Sequence, residues 1–198
     1  MTMLASKEND LISAEDYLQS ELTREIKHEL INGNVLAMAG ASKNHERLSG
    51  NIYGEFRSHL KASSCEAFSS DMKVKVGSNF FYPDVMVVCD DKTDNDYYTE
   101  SPVIIVEVLS KSTRRVDETI KLMAYINIPN VQEYVIIEQD IVDIQVLRRS
   151  ESWLPKHYFL GDEVFFESIG LVLSVEEIYS RVQNEDMAEF VMAKDSIL

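Results

Sequence analysis

An α/β or α+β fold, with a mixed β-sheet flanked by helices, is what this 198-residue chain predicts, on three observations. First, residues 103–110 (VIIVEVLS) and 80–88 (FFYPDVMVV) are apolar runs of strand length, rich in β-branched side chains. Second, Leu48, Ile52, Phe56 and Leu60 recur at helical spacing within residues 44–61. Third, Asn32-Gly33 between the apolar runs of KHELINGNVLAMA (27–39) favours a type I′ hairpin turn.

Taken in order, Ser13 with Asp16 three residues on marks a helix start for AEDYLQSEL. The hairpin and the helix at 44–61 follow, then strands at 72–76 and 80–89, an acidic loop, and a strand at 102–109. Residues 112–127 (STRRVDETIKLMAYIN) predict a second long helix, with Val116, Ile120, Met123, Ala124 and Asn127 on one side and Pro129 just past its end. Asp117, Lys121 and Tyr125 form an i, i+4, i+8 stripe that flanks this apolar side. EYVIIEQD and IVDIQVLRR (133–149) predict two strands joined by a tight Gln139-Asp140 turn. Weaker strands near 156–160 and 163–166 precede a short helix from Ser174 to Val182. Without an internal repeat or a Pro/Gly/Ser linker, residues 1–198 are expected to form a single domain, with 1–12 and 186–198 as flexible ends.

Composition narrows the function classes. An apolar content of 45% and a charged content of 27% are those of a soluble globular protein. No run of about 18 apolar residues occurs, so no membrane span is expected. The N-terminus lacks the basic start and apolar stretch of a signal peptide, and Cys65 and Cys89 carry no zinc pattern. Reduced thiols in a cytoplasmic protein are the expectation. The net charge of −15 argues against a general DNA coat, because phosphate neutralisation needs cations. Arg114–Arg115 and Arg148–Arg149 leave room for a local basic rim.

Glu107 carries most of the functional signal. It lies inside an apolar strand, where an unpaired carboxylate loses its hydration and requires a cation, a proton or a set of donors. Asp84 is the corresponding acid of the earlier apolar strand. Pro83 has no N–H, which places the Pro-Asp step at a strand start or an edge, and Asp84, Met86 and Val88 share one face. Two carboxylates brought together repel unless a cation or a shared proton lies between them, and hard oxygen ligands suit Mg²⁺. Lys121 can reach back toward the EVLS segment and stabilise negative charge on a phosphate. Glu29, in the short strand before the Asn-Gly turn, and His45, at a helix start whose dipole disfavours its cationic form, are further candidate ligands or proton-transfer groups. A blander reading pairs Glu107 with Lys121 as a structural ion pair and leaves Asp117–Lys121 as an exposed helix pair. Arg114 and Arg115 are the best phosphate contacts in the chain.

Several segments together, YPDVMVV, IVEVLSKSTRRVDETIKLMAYI and NVQEYVII, with AEDYL, HELINGNVLAMAG and NHERL upstream, resemble the Uma-type restriction endonuclease family of the PD-(D/E)XK nuclease superfamily. The resemblance spans residues 13–148. It implies a restriction-endonuclease-like core, with Asp84 and Glu107 holding Mg²⁺ or Mn²⁺ for hydrolysis of DNA phosphodiester bonds. The superfamily's lysine, two residues past the second acid, is replaced here by Leu109. Lys121, one helix on, is the candidate substitute and Lys111 its rival. The resemblance further implies a homodimer whose two sites address two strands. A non-catalytic interaction module that retains the fold is the alternative, favoured by the negative charge and the displaced lysine.

Overall fold

Ser13 opens the first helix, α1 (Ala14–Glu21), by accepting the Asp16 N–H with its hydroxyl. The computed structural model, which describes residues 11–111 and 113–195, then forms the hairpin β1 (His28–Ile31) and β2 (Asn34–Ala37). Asn32 and Gly33 take φ values of 50° and 78°, the two positive angles a type I′ turn requires. Helix α2 (Lys43–His59) buries Leu48, Ile52 and Phe56, the stripe its spacing predicts.

Residues 80–89, expected as one strand, are two. The chain runs through β3 (Cys65–Ser69) and β4 (Lys73–Val76) into β5 (Asn79–Phe81), then breaks at Tyr82–Asp84 before β6 (Val85–Cys89). Strands β5 and β6 belong to different sheets. Pro83 is the physical reason, since it cannot donate to a continuing ladder. Short β3 carries only one fully buried side chain, Ala67, and so lacked the apolar alternation that would predict it.

Beyond the acidic loop come β7 (Tyr98–Thr99) and β8 (Pro102–Leu109). A π-helical turn (Val116–Lys121) then leads into α3 (Leu122–Ile126). Strands β9 (Glu133–Glu138) and β10 (Ile144–Arg148) are joined by a five-residue connection at 139–143, wider than the expected tight turn. The remaining elements are β11 (Pro155–Tyr158), β12 (Glu163–Phe166), β13 (Leu171–Ser174), α4 (Val175–Ile178) and α5 (Glu185–Asp195).

Among the described residues, three sheets form: β2-β1-β5-β4-β7, β11-β10-β9-β8-β6-β3, and the hairpin β12-β13. The β8–β9 and β4–β7 pairs are parallel and the others antiparallel, so the two large sheets are mixed. The six-stranded sheet is covered on both faces. Val85, Val87, Ile104, Val106 and Val135 pack with α2, the β12–β13 hairpin and α4. Met86, Val88, Ile105, Leu109 and Tyr134 pack with Tyr125 of α3 and with Ile31, Val74 and Phe81 of the other sheet. Burial on both faces explains why β8 reads as a nearly continuous apolar run.

The helix at residues 112–127 departs in part from its predicted face, since Val116 and Ala124 pack on the core but Ile120 and Met123 do not. Ile120 and Met123 are 42% and 60% exposed, while Asp117, Lys121 and Tyr125 are buried. Leu122 N–H donates to the Asp117 carbonyl, five residues back, and this wider turn shifts the phase of every residue after it. Ser112, the first residue of the predicted helix, lies outside the described residues.

Cys65 and Cys89 correct the expectation of reduced thiols: they are joined by a disulfide. They are direct cross-strand partners on β3 and β6, a pairing hidden by their separation of 24 residues. The disulfide removes one basis for the cytoplasmic expectation. Of the ends expected to be flexible, residues 1–10 and 196–198 lie outside the described residues. Ile12 N–H donates to the Gly33 carbonyl, and Asp186 at the start of α5 accepts the Val142 N–H at 2.7 Å. Among the described residues no helix is long and apolar enough to cross a membrane.

Candidate active site

Antiparallel pairing of β6 with β8 sets Val85 opposite Val106, and one step outward along both strands places Asp84 opposite Glu107. Residues directly opposite in such a ladder project to the same face. Val108 N–H donates to Asp84 Oδ2 at 2.7 Å, and His45 Nε2, from the first turn of α2, lies 3.2 Å from the same oxygen. Glu29 enters from β1 of the other sheet, its Oε1 accepting the Tyr82 N–H at 3.0 Å. The Tyr82–Asp84 break therefore joins the two sheets at the point where their carboxylates meet.

Lys121 sits among these acids. Its Nζ lies 3.0 Å from Glu107 Oε1, 3.0 Å from Glu29 Oε1 and 3.2 Å from Asp117 Oδ1. Tyr125, one turn on, donates its hydroxyl to Glu107 Oε1 at 3.0 Å, and the Tyr134 hydroxyl donates to the Asp117 carbonyl at 3.1 Å. The polar i, i+4, i+8 stripe is thus the inward face of this segment, and the Asp117–Lys121 pair is buried instead of exposed.

Burial pushes the Glu107 carboxyl well above its ordinary value; Lys121 opposes the rise, and Asp117, Asp84 and Glu29 add to it. Burial works against the Lys121 ammonium, but Glu107, Glu29 and Asp117 outweigh it and hold the amine well above the usual range. Burial likewise raises Asp117. One ammonium facing three carboxylates leaves an excess of negative charge that a further cation or proton must balance. His45 corrects an expectation here. Burial lowers its tendency to charge, yet the hydrogen bond and charge of Asp84 hold the imidazole above its ordinary value despite the helix dipole.

The donor set fits a hard divalent cation. Among the described residues the contacts to Asp84 all reach Oδ2 and those to Glu107 all reach Oε1, leaving Asp84 Oδ1 and Glu107 Oε2 available. Among the described residues no three His, Cys, Asp or Glu side chains form a ready-made metal cluster. Two carboxylates with water and phosphate oxygens completing the shell is the usual complement of Mg²⁺.

These groups line a cavity of about 760 Å³, together with Ser42, Lys111 and Gln139. Gln139, which sequence reasoning treated only as a turn residue, ties the site together. Its amide donates to the Leu109 carbonyl at 2.6 Å, while its oxygen accepts from Ser42, the residue that caps α2 ahead of His45. No local pattern marks such a role, because its partners are 30 and 97 residues away.

The arginines fall elsewhere. Arg114 is tied to Glu138, at 2.7 Å for one of its two bonds, and to Glu118 at 3.3 Å. Arg115 is exposed and is not among the residues that line the cavity. The expected basic contribution of Arg148 and Arg149 is corrected. Arg148 is buried against Glu133 and Tyr158, and Arg149 donates to the Val131, Ile126 and Ile128 carbonyls at the end of α3.

A mixed α+β fold of this kind, with mixed sheets flanked by helices, is a nuclease-like fold. The chain is a member of the Uma2 family, described as "Putative restriction endonuclease", which matches residues 14–176. It is 36% identical over 174 residues to the uncharacterized Synechocystis protein slr1290, covering 85% of this chain and 91% of that one. A second Synechocystis protein, sll1609, also uncharacterized, is 36% identical over 142 residues, covering 69% and 80%. A crystal structure from Anabaena variabilis, titled as a "putative nuclease belonging to DUF820", superposes with a TM-score of 0.71 at 18% identity, covering 87% of this chain and 99% of that chain.

Proposed function

We propose that this chain is a divalent-cation-dependent endonuclease that hydrolyses DNA phosphodiester bonds, with Asp84, Glu107 and Lys121 at its centre and Glu29 as a third acid. The observation that carries the reading is Asp84 set opposite Glu107 on the wall of one cavity, with the Lys121 ammonium 3.0 Å from Glu107. Asp84 and Glu107 would hold Mg²⁺ or Mn²⁺. Such an ion, when bound, lowers the pKa of a water and offsets charge on phosphoryl oxygens. The protein's own groups position these ligands. Val108 N–H and His45 orient Asp84, Tyr125 and Lys121 orient Glu107, and Glu29 and Asp117 hold Lys121 in place. Lys121 adds a fixed positive charge near the phosphate, preorganised by its buried partners. Lys111, which lines the cavity, and the exposed Arg115 are candidate contacts for flanking phosphates. A homodimer with a complete site in each copy belongs to the same proposal, and light scattering on the purified chain tests it.

Nicking of supercoiled plasmid with Mn²⁺ or Mg²⁺ tests the catalytic reading. The expected result is cleavage that disappears in chelator and in a folded Glu107→Gln variant. Cleavage that persists in that variant would remove Glu107 from the chemistry. The net charge of −15, with Arg114, Arg148 and Arg149 engaged internally, favours a second reading, a non-catalytic interaction module. A folded wild type that cuts neither DNA nor RNA with either metal would support it.

A further inference from the structure

We infer that the substrate of this site is an unpaired nucleic-acid strand, with bases laid against an apolar shelf, and not an intact duplex. This rests on the nuclease reading above and narrows it. The cavity that holds the carboxylates is bounded on one side by Ile26, Leu36, Ala37, Met38 and Ala39, from the approach to β1 and the end of β2. Ile26 and Leu36 are 58% and 44% exposed, so the shelf offers uncovered apolar surface. In a duplex the bases are stacked inward, and the protein meets mainly charged backbone, for which this shelf has no use. An unpaired strand presents base faces, whose apolar surface leaves water when laid against Ile26, Leu36 and Met38.

Charge and depth point the same way. Duplex affinity rises with each phosphate neutralised by Lys or Arg. Here Arg114 is committed to Glu138, while Arg148 and Arg149 are committed to interior partners. Besides Lys121 and His45, which are held by the acids, the basic residues lining the cavity are Lys27 and Lys111, and Lys27 already pairs with Asp71. Glu107 and Lys121 are 3% and 4% exposed, so the scissile phosphate has to descend into the cavity to meet them. The cavity's volume, about 760 Å³, is that of a small-ligand pocket. It matches a nucleotide unit and is small for a double helix.

Fluorescence anisotropy of a labelled single strand and of a blunt duplex of the same sequence tests this, with Ca²⁺ in place of the catalytic metal. The single strand is expected to bind about tenfold tighter or more, the worth of burying about 55 Å² of apolar surface on the shelf. Leu36→Asp and Ile26→Asp, both at exposed positions and checked for an unchanged melting temperature, are expected to weaken single-strand binding about fivefold or more and to move duplex binding less. Equal or tighter binding of the duplex would overturn the inference, as would failure to bind either strand or indifference to both shelf variants. The nuclease reading is judged separately, by Glu107-dependent nicking of negatively supercoiled plasmid, whose torsional stress opens short unpaired segments; nicking together with equal binding of the duplex would overturn this inference and leave that reading intact.

Discussion

Lys121 is the residue on which the site balances. Its ammonium is shared by Glu29, Glu107 and Asp117, all within 3.2 Å and all buried. Removing one partner of a buried ion pair leaves uncompensated charge, which costs about 3–5 kcal/mol. Lys121→Ala is therefore expected to lower the unfolding free energy by about that amount in urea titrations. Because the excess negative charge is then larger, Mn²⁺ is expected to raise the melting temperature of Lys121→Ala more than that of the wild type. A variant as stable as the wild type would show that the acids take up protons on folding and do not depend on the lysine. The exposure of Ile120 and Met123 is the counterpart at the same scale, since these two apolar side chains face outward while Asp117 and Lys121 are buried.

Each element is delimited by local chemistry, and the ends of helices show it best. Helix α4 begins with a capping box in which Ser174 accepts the Glu177 N–H while the Glu177 carboxylate accepts the Ser174 N–H at 2.8 Å. The backbone and hydroxyl of Ser174 hold the Glu177 carboxyl below its ordinary value. A carboxyl lowered in the folded state adds stability above its unfolded pKa and loses it as the pH falls through its folded one. The wild type is expected to lose a few tenths of a kcal/mol below about pH 4.3 that Glu177→Gln does not lose. Thermal unfolding of the two proteins in parallel from neutral to acidic pH measures the difference. Ser174→Ala removes the cap altogether and is expected to cost about 1 kcal/mol. The π-helical turn at Val116–Lys121 matters more at this scale, because it sets which side of the following helix faces Glu107.

At the scale of the whole molecule, the acidic balance governs how the protein meets a polyanion. With Lys27, Lys111 and Lys121 as the lysines lining the cavity, about three phosphates of a bound single strand are neutralised, and log K is expected to fall with log salt at a slope of about −2. Anisotropy titrations across a series of KCl concentrations give the slope directly. A much steeper value would mean that the arginines now paired inside the fold are released on binding. The two large sheets converge at the Tyr82–Asp84 break, so the cavity is walled by both, and movement of one against the other would alter the distance from Glu29 to Asp84.

What the chain's local chemistry determined was each repeating pattern and each residue out of place within one. The α2 stripe, the Asn-Gly turn and the lone acid in β8 were legible because each is defined by neighbours a few residues away. Asp84 and Glu107 could be matched because each interrupts an apolar strand. Tertiary structure alone decided what lies far apart in the chain. It brought Glu29 and Lys121 together, set His45 on Asp84, joined Cys65 to Cys89, and drew Arg148 and Arg149 inward. It also divided residues 80–89 between two sheets and left Ile120 and Met123 of the helix after β8 exposed while burying Asp117 and Lys121. Periodicity reports that a residue has a buried side, but the partner that compensates a buried charge is chosen by packing, where distance along the chain carries no information.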